Sequence, residues 1–158
     1  MEMVELARTI DRPGYFIKLC GSSDELRSVM PSGWRLDLER YFMTGRQAST
    51  SQPLPKGYTI EIEQSGMIRR VAIRCETGDL AASGHAAEIP SAFIYDRIET
   101  ALAHRRKGLG RIVMASLART KYSDVPELLV ATNEGRLLYE ALGWHVLSPY
   151  ATASIPCM

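Results

Sequence analysis

Arg105, Arg106 and Lys107 run directly into Gly108-Leu109-Gly110-Arg111. Glycine removes the side chain that would keep a ligand away from the backbone. Successive N–H groups at a helix start, together with the helix dipole and neighbouring cations, then form a cradle for an anion of the pyrophosphate type. A basic helix start that only solvates itself, or a small nucleic-acid patch, is the competing reading of the same residues. Two better-known phosphate motifs drop out. G-x-x-x-x-G-K-[ST] is absent, and G-x-G-x-x-G fails at Val113, where its last glycine would stand. ATPase and dinucleotide readings lose their support with them.

A second set of residues could move protons. Tyr139 lies on a helical stretch whose apolar stripe is Leu137, Leu138, Ala141 and Leu142, and at 100° per residue it falls outside the centre of that stripe. Its hydroxyl is therefore expected to face a cleft, the alternative being an ordinary packed tyrosine. Asp96 and Glu99 are three apart on a strand, so a regular pleat sends them to opposite faces and only one reaches any given site. Surface pairing with Arg97 or Arg106 is the alternative for either carboxylate.

These residues need a strand that hands over to a helix, and the pattern supplies one. Tyr58, Ile60 and Ile62, then Val71, Ile73 and Cys75, alternate with polar residues around a Ser65-Gly66 turn, which predicts a hairpin. Thr77-Gly78-Asp79 turns into Leu80 to Ala87, and Phe93 to Thr100 is a further strand after Ile89-Pro90, so the middle reads as an antiparallel meander. The period then changes, with Leu109, Ile112, Val113 and Leu117 on one helical face. Leu128 to Ala131 is a short strand, Glu134 to Leu142 a second helix closed by Gly143, and Trp144 to Leu147 a last strand before a tail without clear signal. Upstream, a short helix over Val4 to Ile10, a strand at Tyr15 to Cys20, a helix over Glu25 to Met30 with N-caps offered by Ser22-Ser23-Asp24, and an extended stretch from Trp34 to Met43 suggest a β-α-β unit. Gly45 to Gly57 has linker composition.

The 158 residues suit one domain with an enzyme-sized core, and 46% hydrophobic with 23% charged residues excludes fibrous and disordered classes. Lys plus Arg number 19 against 18 Asp plus Glu, so no global field draws the chain to nucleic acid or an anionic membrane. The longest stretch without Asp, Glu, Lys or Arg, from Ala141, is broken by Gly143, Ser148 and Pro149 and predicts no membrane span. Glu2 and Glu5 do not suit a signal peptide, which points to the cytoplasm. Cys20, Cys75 and Cys157, like His85, His104 and His145, are scattered, which predicts reduced thiols and no metal site.

Ile98-Glu99-Thr100 followed by Arg105-x-x-Gly108-x-Gly110 resembles the R/Q-x-x-G-x-G/A acetyl-CoA signature of the GNAT acyltransferases. Leu138-Tyr139-Glu140-Ala141-Leu142-Gly143-Trp144 resembles that family's L-Y-e-x-x-G-F/W segment, in the correct order. The resemblance runs from about Ile94 to Leu147 and extends toward Tyr58, which divides the chain into residues 58–158 as the acetyltransferase core and residues 1–57 as an unplaced segment and linker, with a degenerate half of the same fold as one reading.

The resemblance implies an α/β (α+β) fold with a mixed central sheet of about six or seven strands flanked by helices. It implies acetyl-CoA lying where two adjacent parallel strands, those of Ile98 and Val130, splay apart. The backbone of Ile98, Glu99 and Thr100 would pair with the pantetheine arm. Amides of Lys107, Gly108, Leu109, Gly110 and Arg111 would hold the pyrophosphate, Arg105 and Arg106 would join them in binding the cofactor, and Tyr139 would protonate the departing thiolate. The family's usual asparagine is Thr132 here, with Asn133 one place later, and either residue suits both a helix cap and a cofactor contact. The implied function is N-acetyl transfer by direct attack of a primary amine, from a small molecule or a peptide, with Asp96 or Glu99 taking its proton. An acyl-CoA sensor without turnover is the rival reading, and a homodimer stays open. No serine or cysteine nucleophile motif suggests a covalent intermediate.

Overall fold

The computed structural model describes residues 2–48 and 52–156; Cys157 and part of the Gly45–Gly57 stretch lie outside the described residues. The chain forms two compact units, Met1–Thr44 with Val130–Met158, and Gly45–Leu129.

The unit Gly45–Leu129 holds the meander. Strands β4 (Tyr58–Ser65), β5 (Ile68–Cys75), β6 (Leu80–Ile89) and β7 (Ala92–Thr100) pair antiparallel in chain order. Helix α3 (Leu109–Ala118) crosses back over β5, β6 and β7, and β8 (Glu127–Ala131) joins β7 in parallel. Alternation places Val71 and Ile73 of β5, Ala82 and Ala86 of β6 and Phe93 and Tyr95 of β7 on the buried face under α3. The helical stripe Leu109, Ile112, Val113 and Leu117 meets them, each 4% exposed or less, and burial of such a side chain contributes about 1.5–3 kcal/mol. Glu88 and Arg69 are also buried on that face as an ion pair of 3.1 Å, and Glu88 further accepts hydrogen bonds from the Tyr122 and Ser123 amides and the Ser123 hydroxyl.

In the other unit, β9 (His145–Ser154) is the organising strand. It pairs antiparallel with β1 (Phe16–Leu19), β2 (Arg35–Leu36) and β3 (Arg40–Gly45). Helices α1 (Met3–Arg8) and α2 (Ser23–Val29) contribute Ala7 and Leu26 to a small core with Ile17, Ala151 and Ala153. Of the three caps that Ser22-Ser23-Asp24 offers, Ser22 serves, in a reciprocal capping box with Glu25. Helix α4 is Asn133–Ala141.

Several expectations are corrected. Among the described residues nine strands form, more than the expected six or seven; the stretch Trp34 to Met43 splits into β2 and β3, and the last strand runs on through Ser154. Pro149 hides that strand in the sequence, since it supplies no ladder donor; it stands opposite Tyr41, and the register shifts two residues earlier, at Leu147, between Phe42 and Met43. The N-terminal β-α-β pattern is not a pair of neighbouring strands: β1 and β2 both pair with β9 at Ser154 and Ala153, so β9 lies between them.

Candidate functional site

The ladder between β7 and β8 runs over Phe93–Glu127, Ile94–Leu128 and Tyr95–Leu129 and then stops, while β7 continues to Thr100. The end of β7 is thus paired with β6 alone. Within it, Ser83 of β6 faces Glu99 and His85 faces Asp96, so two residues of β7, Arg97 and Ile98, oppose the single residue Gly84. This is a β-bulge, and Arg97 takes a left-handed φ of 48° to make it. A Cβ at Gly84 would stand 2.5 Å from Ile98 Cδ1 and 2.7 Å from Val113 Cγ1, so glycine lets α3 and the bulge close over β6.

The bulge overturns the expectation that Asp96 and Glu99 lie on opposite faces. The extra residue shifts the alternation by one, and their partners His85 and Ser83, two apart on β6, point the same way. Both carboxylates therefore share the face turned away from α3. Asp96 pairs with Arg97 at 2.9 Å at the surface, one of the alternatives read from the sequence. His85, between Asp96 on β7 and Arg70 on β5, has no hydrogen-bond partner for Nδ1 among the described residues. Burial pushes its pKa down, Arg97 and Arg70 push it further, and Asp96 and Glu99 oppose them, so the imidazole is neutral at pH 7.

Past Thr100, Ala101 N–H donates to Ala81 O at 2.9 Å, a short 3-10 turn covers Leu102–His104, and Arg105 Nε donates to Thr100 O at 3.3 Å. Arg106 (φ 60°) and Gly108 (φ 77°) are both left-handed, with Lys107 between them. Alternating conformations of this kind turn successive N–H groups into one concavity. Gly108 is the N-cap of α3, no side chain caps that end and its first turn carries no acidic residue, so the amides of Leu109, Gly110 and Arg111 face a site with no carboxylate of their own helix. At Gly108 a Cβ would run into the Gln52 amide, which donates to Lys107 O at 3.3 Å. At Gly110 a Cβ would meet only Thr100 Oγ1, at 3.5 Å. The residues present therefore fit a bound pyrophosphate: an uncapped helix start, open space at Gly110 and four flanking cations.

Tyr139 and Asn133 belong to the other unit. Helix α4 ends in a Schellman motif: Gly143 (φ 87°) donates to Glu140 O at 3.0 Å, and Trp144 N–H to Tyr139 O at 3.0 Å. That closure folds Trp144 back onto Tyr139, with ring centroids 5.8 Å apart. The face of α4 is thus the reverse of the expected one. Leu137, Leu138 and Leu142 are exposed, and Tyr139 is half-buried. Burial raises the Tyr139 pKa, which keeps the phenol protonated at neutral pH. Thr132 is the cap of α4, its hydroxyl accepting from Gly135 N–H at 3.1 Å, and Asn133 is the first helical residue with an exposed side chain.

Sequence reasoning missed Gln52, Tyr58, His85 and His104, which reach these places through strand pairing and long-range contacts. A cavity of about 610 Å³ lies at the far end of α3 from the cradle, lined by Arg46, Lys121, Ser123, Asp124 and Glu127 among others. Among the described residues, no helix is long and apolar enough to cross a membrane, and no group of three or more His, Cys, Asp or Glu is placed to hold a metal ion.

No family model matches the chain, and no curated protein matches it. Solved structures do. A GCN5-related N-acetyltransferase from Kribbella flavida shares 16% identity at a TM-score of 0.57 over 80% of this chain and 61% of its own. A GNAT-family protein from Novosphingobium aromaticivorans shares 19% at 0.60 over 96% of this chain and 78% of its own. A tandem GNAT protein from the clavulanic acid biosynthesis pathway shares 13% at 0.66 over 98% of this chain and 68% of its own. The chain thus has the GNAT fold, a mixed α+β sheet flanked by helices, and spans less than two thirds of the length of the Kribbella flavida protein.

Proposed function

We propose that this protein is an N-acetyltransferase that moves an acetyl group from acetyl-CoA to the primary amine of a small molecule or peptide. The observation that carries this reading is the uncapped start of α3 behind the left-handed Arg106 and Gly108, directly following a β7 end that β8 leaves unpaired. The GNAT names of the similar structures support it. Acetyl-CoA supplies the activated thioester. The amides of Leu109, Gly110 and Arg111 neutralise its pyrophosphate, with Arg105, Arg106 and Lys107 around them. The backbone of Ile98, Glu99 and Thr100 holds the pantetheine arm, and a β7 N–H polarises the thioester carbonyl.

Asp96 or Glu99 accepts the proton of the attacking amine, directly or through water, and their shared face lets either serve. Tyr139, protonated at neutral pH, returns a proton to the departing sulfur. Asn133 contributes a polar contact to the nucleotide. The first test is thermal unfolding with CoA: a ligand bound only to the folded state adds about 2.7 kcal/mol at 100 Kd. CoA is expected to raise Tm, and acetyl-CoA with a panel of primary amines is expected to release free thiol. No shift at millimolar CoA overturns the assignment. A shift without thiol release from any amine favours the sensor reading.

A further inference from the structure

Beside the cradle stands a side-chain group that acetyl transfer itself does not require. Tyr58, at the start of β4, brings its hydroxyl to 2.8 Å from His104 Nδ1 and 2.9 Å from Lys107 Nζ. The His104 ring meets the Tyr58 ring edge-on at 5.7 Å, and the Lys107 ammonium lies 5.5 Å from the Tyr58 ring centroid. A lysine ammonium can only donate, so Tyr58 Oη accepts from Lys107. In the tautomer in which the Tyr58 hydroxyl donates to His104 Nδ1, the imidazole presents its Nε2–H, and the group offers that hydrogen together with the two remaining ammonium hydrogens of Lys107. Among the described residues no carboxylate pairs with Lys107.

Lys107 also contributes the residue directly before Gly108, so its ammonium is anchored at the rim of the cradle. A free lysine loses rotamer freedom on ordering, and Tyr58 has already ordered this one. The pyrophosphate is met by backbone amides. What remains of the anionic charge of CoA is a phosphomonoester on its ribose, doubly charged near neutral pH.

We propose that Tyr58, His104 and Lys107 form a second phosphate subsite, separate from the pyrophosphate cradle, which takes the 3′-phosphomonoester of CoA and lets the protein distinguish CoA from 3′-dephospho-CoA. The inference rests on the cofactor reading above. Its test is calorimetric titration of the wild type, Tyr58→Phe and His104→Phe with CoA and with 3′-dephospho-CoA. Wild type is expected to bind CoA at least about tenfold more tightly than the dephospho form. Each variant is expected to lose most of that ratio while its affinity for 3′-dephospho-CoA stays near wild type, a pattern that general damage to the cradle would not produce. Equal, measurable affinities of wild type for both ligands overturn the subsite and leave the cofactor reading intact. Binding of neither ligand overturns the cofactor reading, and the subsite with it. An undiminished ratio in both variants also overturns the subsite.

Discussion

Gly110→Ala should move stability and ligand binding in opposite directions. Gly110 is the second residue of α3, where a glycine costs about 0.5–1 kcal/mol relative to alanine. Nothing in the protein demands it: its φ is not left-handed, and an added Cβ meets only the Thr100 hydroxyl at ordinary contact distance, 3.5 Å. The substitution should therefore raise Tm of the unliganded protein by about 1–4 °C at this chain length. The same methyl would stand in the cradle. If it weakens CoA about tenfold, the ligand's stabilisation at a concentration of 100 wild-type Kd falls from about 2.7 to about 1.4 kcal/mol, a loss of roughly 3–5 °C in the CoA-induced shift. Thermal unfolding of both proteins with and without CoA, with calorimetry for Kd, measures both effects. Wild-type CoA affinity in the stabilised variant would place the pyrophosphate elsewhere. A lowered Tm without ligand would show that the glycine serves packing. Gly108→Ala cannot make this separation, because alanine there is strained by about 1–2 kcal/mol at φ 77° and collides with Gln52.

Tyr139→Phe deletes only a hydroxyl from the Tyr139–Trp144 contact, so the fold and acetyl-CoA affinity should hold while kcat falls by roughly 10², the lower end for a general acid; wild-type kcat in a folded variant would leave water as the proton source. Glu88→Gln leaves Arg69, 2% exposed, without its counter-charge, which should cost about 3–5 kcal/mol and lower Tm by roughly 6–20 °C. Burial alone would raise the Glu88 pKa, but the Ser123 hydroxyl, the Tyr122 and Ser123 amides and Arg69 outweigh it and hold the carboxyl below its ordinary range. Its stabilising contribution is then present above the unfolded-state pKa and lost as pH falls. Wild-type Tm should accordingly fall more steeply than that of Glu88→Gln between about pH 5 and 3, and parallel curves would count against the buried pair as the source.

The sequence alone determined the meander, its hairpin at Ser65-Gly66, the strand-to-helix passage and the face of α3 that is buried, because each depends on a period of two or 3.6 within one segment. It also set glycines and cations at the start of a helix, a feature that acts through the local backbone. Tertiary structure decided what involves two segments at once. The bulge opposite Gly84 is a property of β6 and β7 together, and it alone puts Asp96 and Glu99 on one face. The buried face of α4 was set by the Schellman closure that returns Trp144 to Tyr139, against the stripe that the helix displays in isolation. The strand through Pro149 exists because β1, β2 and β3 supply its partners. Tyr58 and His104 meet for the same reason: residues 46 apart in sequence come within hydrogen-bond reach only once β4 has found its place beside β5.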